Sequence, residues 1–457
     1  MKELKEIPSI NNLLESIKLI PEFSIYKRDF LKIWLNEILE KIRAKIKDGY
    51  FKNYDRKKFK EYIFSQLSRK IEEIENYGIK RVINGTGVII HTNLGRSPLN
   101  QKLLEKISQT LYSYSNLEFD LKRGKRGHRD NNLSEIIKKL MIVEDALVVN
   151  NNAAAVFLIL NTFAKGKEVL VSRSELVEIG GSFRIPEIMK ESGAVLKEVG
   201  TTNKTKVEDY EENISEKTAM ILKVHRSNFY ISGFTHFPET EELIKVARKH
   251  NLIFYEDAGS GLLFKDYLHN NTEEPIISEE IKKGVDIISF SGDKLMGGPQ
   301  AGIILGKENL LKKLKKNQLM RILRVDKITY FLLSEVLKEY FKDDYPLLFK
   351  IISQDYGSLE KRCRKIVRTI KKQFPSIPIS IEKSYSMIGG GSTPGELIES
   401  PNIVLAVEQP EKIAKKLREN KPPIIVRIEK KAIKIDLRTV FPIEEKELVI
   451  GLKNTLE

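Results

Sequence analysis

Apolar and polar positions along the chain follow three different rhythms. From Val82 to about residue 330, short runs of β-branched and other apolar residues alternate with amphipathic stretches and glycine-rich turns. The runs at residues 146–149, 168–171, 195–199, 219–224, 253–255 and 287–289 read as strands, and each consecutive pair encloses a segment with helical spacing. That alternation predicts βαβ units and a mostly parallel sheet. Ligands of such sheets bind beyond the carboxyl ends of the strands. Several polar clusters of this chain fall just past the expected strands.

Before Val82 the period is helical throughout. Leu13, Leu14 and Ile17 share one face of a helix that starts near Asn11. Phe30, Ile33, Trp34, Ile38, Ile42 and Ile46 recur at helical spacing up to Gly49, and a third helix runs from about Arg56 to Asn76-Tyr77-Gly78. After Arg324, residues 330–372 read as long helices. Short strands at 403–407, 423–428 and 432–437, interleaved with a helix at 411–419, then give an α+β pattern. The expected organisation is a helical module over residues 1–78, a large α/β domain over 79–330 and a small α+β domain over 331–457.

Charge and cysteine usage narrow the class. The 457 residues carry 78 Lys and Arg against 63 Asp and Glu, a net charge of +15. That excess suits a polyanionic partner such as nucleic acid. A chain rich in Lys, Ile and Asn also acquires a basic surface with no partner at all. Lys41, Arg43, Lys45 and Lys47 crowd the end of the second helix, where cations meet either the helix dipole or a phosphate backbone. Residues 361–372 hold seven basic residues and no acid. The single cysteine, Cys363, excludes an internal disulfide. With an N-terminus unlike a signal peptide, it points to the cytoplasm. No apolar run approaches the roughly 20 residues needed to cross a bilayer, so no membrane partner is expected.

The chemistry concentrates in residues 287–302. An apolar run leads into a tight polar turn that presents Lys294, followed by Gly297-Gly298-Pro299 and a second apolar run, 302–305. A lysine held in a small-residue turn beside a strand suits Schiff-base chemistry, because burial lowers its pKa and frees the amine. Pyridoxal phosphate is the cofactor this arrangement suggests. Asp257, in Phe254-Tyr255-Glu256-Asp257-Ala258-Gly259, closes a strand and suits a protonated pyridine nitrogen; alone it reads equally as a turn aspartate. Asn151, Asn152 and Ala153 open an alanine-rich helix whose free N–H groups suit the cofactor phosphate. Ser291 is a second phosphate ligand candidate. Arg96 follows a glycine and is placed to clamp an anion. Arg321 and Arg324 lie one helical turn apart and would share a face suited to a phosphate-like anion. His91 reads as a satisfied core histidine. No metal site is expected.

Taken together, these motifs resemble one family. Asn84-Gly85-Thr86-Gly87-Val88-Ile89-Ile90-His91-Thr92-Asn93-Leu94-Gly95-Arg96, the run from Leu147 to Ala155, and Glu178-Ile179-Gly180-Gly181-Ser182-Phe183-Arg184-Ile185-Pro186 are similar to bacterial selenocysteine synthases, the L-seryl-tRNA(Sec) selenium transferases. Val224-His225-Arg226-Ser227-Asn228-Phe229, Asp257 to Gly261, Gly292 to Gly302, Leu323 to Lys327, Gly389-Gly390-Gly391-Ser392 and Asp436-Leu437-Arg438-Thr439 continue the likeness in the family's order. It spans almost the whole chain.

The resemblance implies an aspartate-aminotransferase-like fold, fold type I of the pyridoxal phosphate enzymes. It implies Lys294 as the Schiff-base lysine and Asp257 as partner of the ring nitrogen. Asp293 falls in the family's Asp-Lys pair, and Arg96, Arg321 and Arg324 match arginines around an anionic selenium donor. The implied reaction turns L-seryl-tRNA(Sec) into L-selenocysteyl-tRNA(Sec) through an aminoacrylyl-tRNA intermediate, with selenophosphate as donor. The helical module would grip the tRNA. The implied assembly is a homo-oligomer, at least a dimer and by resemblance a ring of five dimers, with Thr201 and Thr202 between dimers. Two positions depart from the pattern: Ser174 and Val426 stand where glycine is expected. Two other readings fit parts of the chain. One is a pyridoxal-phosphate lyase of small amino or amino-sugar acids, which has no need of the helical module. The other is a noncatalytic tRNA-binding protein, which has no need of Lys294 and Asp257.

Overall fold

The computed structural model describes residues 3–179, 183–268, 273–343, 346–393 and 395–457. The chain divides into two compact units, Met1–Arg81 and Val82–Glu457.

The first unit is helical. Its helices are Glu3–Glu6, Ile10–Ile17, Pro21–Ser24, Arg28–Lys47 and Arg56–Glu75. Ser9 and Asp55 cap the second and fifth, their side-chain oxygens accepting from the N–H of Asn12 and Lys58. The core stripe on Arg28–Lys47 is Leu31, Leu35, Ile38, Leu39 and Ile42, packed with Leu13, Leu14, Ile17, Phe59, Ile63, Leu67 and Ile71. The expected face was rotated from this one: Phe30 and Ile33 are exposed. The leucines fall at i, i+4 and i+8 and with Ile38 and Ile42 form one unbroken stripe. Phe30 lies on the flank, stacked on Trp34, whose edge meets Tyr26.

The second unit is built on a seven-stranded sheet. In chain order its strands are β1 (Asp145–Val149), β2 (Glu168–Ser172), β3 (Val195–Val199), β4 (Thr218–Val224), β5 (Ile253–Gly259), β6 (Ile287–Ser291) and β7 (Gly302–Gly306). They lie in the order β1-β7-β6-β5-β4-β2-β3. β7 is antiparallel to both neighbours, while β6, β5, β4, β2 and β3 run parallel. Both faces are covered. Val148, Leu170, Ile221, Phe254, Ile288 and Ile303 pack into one core, and Leu147, Val149, Val171, Leu222, Tyr255 and Ile304 into the other. Burial on both faces is why the inner strands read as largely apolar runs, whereas the edge strand β3 is partly exposed and carries Lys197 and Glu198.

Every strand expected for this sheet is present, and β5 and β6 run further than expected, through Asp257 and Ser291. Their polar ends stay extended because neighbours on both sides supply ladder partners: Asp257 stands in register between Val224 and Ser289.

A second, five-stranded sheet joins Ile379–Gly389, Leu397–Leu405, Ala432–Asp436 and Arg427–Glu429 in antiparallel order. Its last edge is the distant segment Val88–Ile90, parallel to Ile379–Gly389. Helices Tyr356–Gln373, Pro410–Arg418 and Glu445–Leu456 supply apolar side chains to its core. The strand Ile379–Gly389 did not stand out in the sequence, because several of its positions, such as Ser380, Lys383 and Tyr385, are exposed and carry polar groups. Residues 331–457 do not separate as a unit of their own. Helix Lys327–Glu339 crosses the expected boundary and sends Tyr330, Leu333 and Val336 into the core of the large sheet. Among the described residues, no helix is long and apolar enough to cross a membrane.

Asp436 and Arg438 of the expected motif are structural. The buried Arg438 guanidinium donates to the main-chain oxygens of Ile352, Gln354 and Glu399 and to Ser386 Oγ. Asp436 accepts from the hydroxyls of Ser386 and Ser400.

Candidate active site

Lys294 lies in the connection between β6 and β7. That connection is pinned on several sides. Gly292 N–H donates to Ala301 O, Leu295 N–H to Ser260 O, Ser97 N–H to Asp293 O, and Tyr340 Oη–H to Met296 O. Lys294 is 5% exposed as a result. Burial pushes its pKa down from the ordinary lysine value, and the Arg96 guanidinium adds to the effect. Asp257, Asp293 and Glu274 oppose it without reversing it.

Asp257 is buried in the middle of the sheet. Its Oδ1 accepts from Asn152 Nδ2 at 2.8 Å and from Gly259 N–H at 3.1 Å. Among the described residues no hydrogen-bond donor reaches Oδ2. Burial raises its pKa and outweighs both the Asn152 hydrogen bond and the Lys294 charge. A cation brought to Oδ2 would restore the carboxylate, which is what a pyridinium N–H offers.

The turn after β1 leads into helix Asn152–Phe163. Asn151 caps helix Asn152–Phe163, its side chain accepting from Ala154 N–H at 2.8 Å. The Asn152 amide is spent on Asp257, and its Oδ1 is buried with no partner. Ala154 and Ala155 N–H are taken by Asn151, which leaves the main-chain N–H groups of Asn152 and Ala153 at this helix start. Ser291, buried at the end of β6, pairs with Gly302. Gly302 abuts the same turn, since a Cβ there would lie 2.1 Å from Asn151 O. The elements that should receive a cofactor thus converge: the lysine turn, the β5 carboxylate and a helix start with free N–H groups.

Arg96 closes one side. Its Nη1 donates to both oxygens of Asp293, at 3.0 and 2.9 Å. Asp293 is thus the arginine's partner, next in sequence to the lysine. Arg96 itself has φ of 61°. The preceding turn is capped by His91, whose Nδ1 accepts from Asn93 N–H, so His91 is a turn cap and not a core histidine.

Arg321 and Arg324 do not share a helix face. The helix is only Leu319–Ile322, and Arg324 lies beyond it in irregular chain. Leu323 O accepts from Asn150 N–H, which holds this segment beside the turn after β1. Arg324 is 3.9 Å from Glu118, and Arg321 is exposed.

The two glycine departures are accommodated. Neither Ser174 nor Val426 has positive φ, and the Ser174 hydroxyl bonds to Ser172 Oγ at 2.8 Å. Residues 180–182 of the third motif lie outside the described residues.

Sequence reasoning missed a further group beside the lysine. His225, Glu274, Ser260 and the turn Gly391-Ser392-Thr393 form a buried network. His225 stood in a quoted motif without a role, and its N–H donates to Asp257 O. Glu274 carries no sequence signal.

The chain matches the family model described as L-seryl-tRNA selenium transferase over residues 82–441. It belongs to that family. It is 43% identical over 466 aligned residues to the L-seryl-tRNA(Sec) selenium transferase of Aquifex aeolicus (strain VF5), covering 99% of each chain. It is also 43% identical to that of Caldanaerobacter subterraneus subsp. tengcongensis, covering 98% of this chain and 97% of the relative. The family model starts at the boundary between the two units, whereas these relatives extend over the helical unit as well. Among solved structures, D-glucosaminate-6-phosphate ammonia-lyase has the same fold, with a TM-score of 0.58 over 84% of this chain and 97% of that one. At 18% identity that likeness concerns the fold alone.

Proposed function

We propose that this selenium transferase family member converts L-seryl-tRNA(Sec) to L-selenocysteyl-tRNA(Sec), with pyridoxal phosphate on Lys294 and selenophosphate as the selenium donor. The observation that carries the reading is the buried Lys294, its ammonium form disfavoured and the Asp257 charge within reach, in a chain 43% identical over 99% of its length to a transferase of that name.

Bound pyridoxal phosphate supplies an electron-withdrawing ring that takes up the electron pair left when the serine α-proton departs. The chain's own groups do the rest. Lys294, its ammonium form disfavoured by burial, holds the cofactor and then accepts the α-proton at Nζ. Asp257, its Oδ1 held by Asn152 and Gly259, would keep the ring nitrogen of the bound cofactor protonated. The N–H groups of Asn152 and Ala153 take the cofactor phosphate. The serine β-hydroxyl would leave with a proton as water, and selenophosphate selenium would add at the β-carbon, water then cleaving the Se–P bond and releasing phosphate. The serine carboxyl is esterified to tRNA, so the arginines answer to a different anion: Arg96, Arg321 and Arg324 receive the donor. The basic surface meets the tRNA backbone, and the helical unit reads its shape. The protein works in the cytoplasm as a homo-oligomer, at least a dimer and by family likeness a ring of five dimers.

The test is visible absorbance of the cofactor-loaded protein. Seryl-tRNA(Sec) should shift the cofactor band and free serine should not, and Lys294→Ala should abolish the normal band. Adding selenophosphate should yield selenocysteyl-tRNA. A band moved by free amino acids and untouched by seryl-tRNA(Sec) would overturn the reading in favour of a small-molecule lyase.

A further inference from the structure

Glu274 lies in the connection that follows β5 and is 4% exposed. Among the described residues, three elements share its carboxylate. Oε2 accepts from Ser260 Oγ, at the exit of β5. Oε1 accepts from the main-chain N–H of Thr393, in the turn that ends strand Ile379–Gly389 of the second sheet. Oε1 also lies 3.1 Å from His225 Nε2, at the exit of β4. This last approach is too oblique for a hydrogen bond and is a contact of charge and proximity.

Burial works against the ionised form of Glu274, but the His225, Ser260 and Thr393 contacts outweigh it and hold the pKa below the usual glutamate value. A charge is therefore kept at a place where only specific partners can sustain it. The turn it grips supplies the roof of the lysine site. Gly391 has φ of 82°, and a Cβ there would lie 2.8 Å from Lys294 Nζ. Gly391 is two residues from Thr393, so the anchor at Thr393 sets the height of that roof. Neighbouring hydroxyls of Ser392 and Thr393 are buried without hydrogen-bond partners, so they do not do this fastening.

We propose that Glu274 is a positioning residue that fastens the second sheet's glycine turn to the exits of β4 and β5, and so fixes Gly391 against Lys294. The proposal rests on Lys294 being the reactive amine. A carboxylate suits the task because both oxygens must accept, one from a hydroxyl and one from an amide. An alanine accepts nothing. A glutamine keeps the shape and the Thr393 bond and can donate to the Ser260 hydroxyl, but it removes the charge beside His225.

The experiment is hydrogen exchange of the full-length protein, read on the peptide that carries Gly389 to Thr393, for wild type, Glu274→Ala and Glu274→Gln. Exchange there should rise at least tenfold in the alanine variant and less in the glutamine variant, with Leu397–Leu405 unchanged. In the same variants kcat with seryl-tRNA(Sec) should fall at least tenfold for alanine, with KM within about twofold of wild type. A protein that is merely destabilised would exchange faster in both segments. Should Glu274→Ala fail to fold, Ser260→Ala removes one arm of the clamp alone and should loosen the same peptide. Unchanged exchange at the turn in all variants overturns the proposal, as does faster exchange with unaltered kcat. Hydrogen exchange needs no substrate, so it reports on the clamp even if the protein rejects seryl-tRNA.

Discussion

Asn152 Nδ2 lies 2.8 Å from Asp257 Oδ1, so the residue that begins the helix after β1 is hydrogen-bonded to the carboxylate at the centre of the sheet. Loss of that bond leaves a buried carboxylate with one donor fewer, which raises its pKa further and weakens its hold on a cationic ring. Asn152→Ala should weaken pyridoxal phosphate binding about tenfold to hundredfold, the equivalent of roughly 1.5–3 kcal/mol for a hydrogen bond to a charged group. Titration of cofactor-free protein, followed by absorbance, measures it. Asn152→Asp, which places a second carboxylate against the first, should bind less than the alanine variant.

Gly391 leaves the Lys294 amine its space. Gly391→Ala meets both a positive φ and Lys294 Nζ, and the lysine end is the softer of the two. We expect kcat to fall at least tenfold while thermal stability drops by about 1–2 kcal/mol, the usual cost of a non-glycine residue in a sparsely populated backbone region. Thermal melting beside steady-state kinetics separates the two effects. A variant with full kcat would mean that the lysine has room that the structure does not show.

Arg96 and Asp293 pull on the lysine in opposite directions. Arg96→Met removes a cation and should raise the pKa of Lys294; Asp293→Asn removes an anion and should lower it. The pH dependence of aldehyde condensation with the cofactor-free protein reports that pKa. Movement in the same direction for both variants would show that the pair acts by shape and not by charge.

Glu175 gives a stability signature away from the lysine. It is buried and accepts from Val224 N–H at 3.0 Å. Burial pushes its pKa from 4.5 up to about 7, against the pull of the Val224 N–H, Lys223, Arg226 and His225; the Tyr210 side chain is also close. The folded state therefore holds this proton more tightly than the unfolded state. The stabilisation is full below about pH 4.5 and is lost as pH rises through 7, on the order of 3 kcal/mol in all. Glu175→Gln keeps an acceptor for Val224 and cannot ionise. Its melting temperature relative to wild type should rise between pH 5 and pH 8. A constant difference over that range would contradict the assignment.

The large sheet was legible because its inner strands are buried on both faces, so composition marked them, and edge strand β3 was marked by its valines and leucine. Ile379–Gly389 was not, because its outward positions are polar and its partners lie elsewhere in the chain. Lys294 and Asp257 were readable from the small residues and strand ends around them. The role of Asn152 was not, since an asparagine at a helix start looks the same whether it caps, binds phosphate or reaches 105 positions along the chain to an aspartate. Arg321 and Arg324 were placed on one face by spacing, but the helix stops between them. Glu274 was invisible: its partners come from three separate segments, and no local pattern announces a contact of that kind.

The pairing of Val88–Ile90 with Ile379–Gly389, and of Ile83–Asn84 with Ile424–Ile425, bears on the order in which this chain is made. The large sheet has all its strands once Gly306 leaves the ribosome, yet the segment that introduces Arg96 still lacks its neighbours. At about 5–20 residues per second, the partners of 83–90 arrive roughly 4 to 24 seconds later. Until then a nascent chain carries an assembled sheet and an exposed, unpaired strand edge, the form most open to capture by chaperones or by other unfinished copies. Folding of this unit is thus completed only near its C-terminus, and a messenger truncated before codon 379 would yield a chain that displays Lys294 without the roof above it.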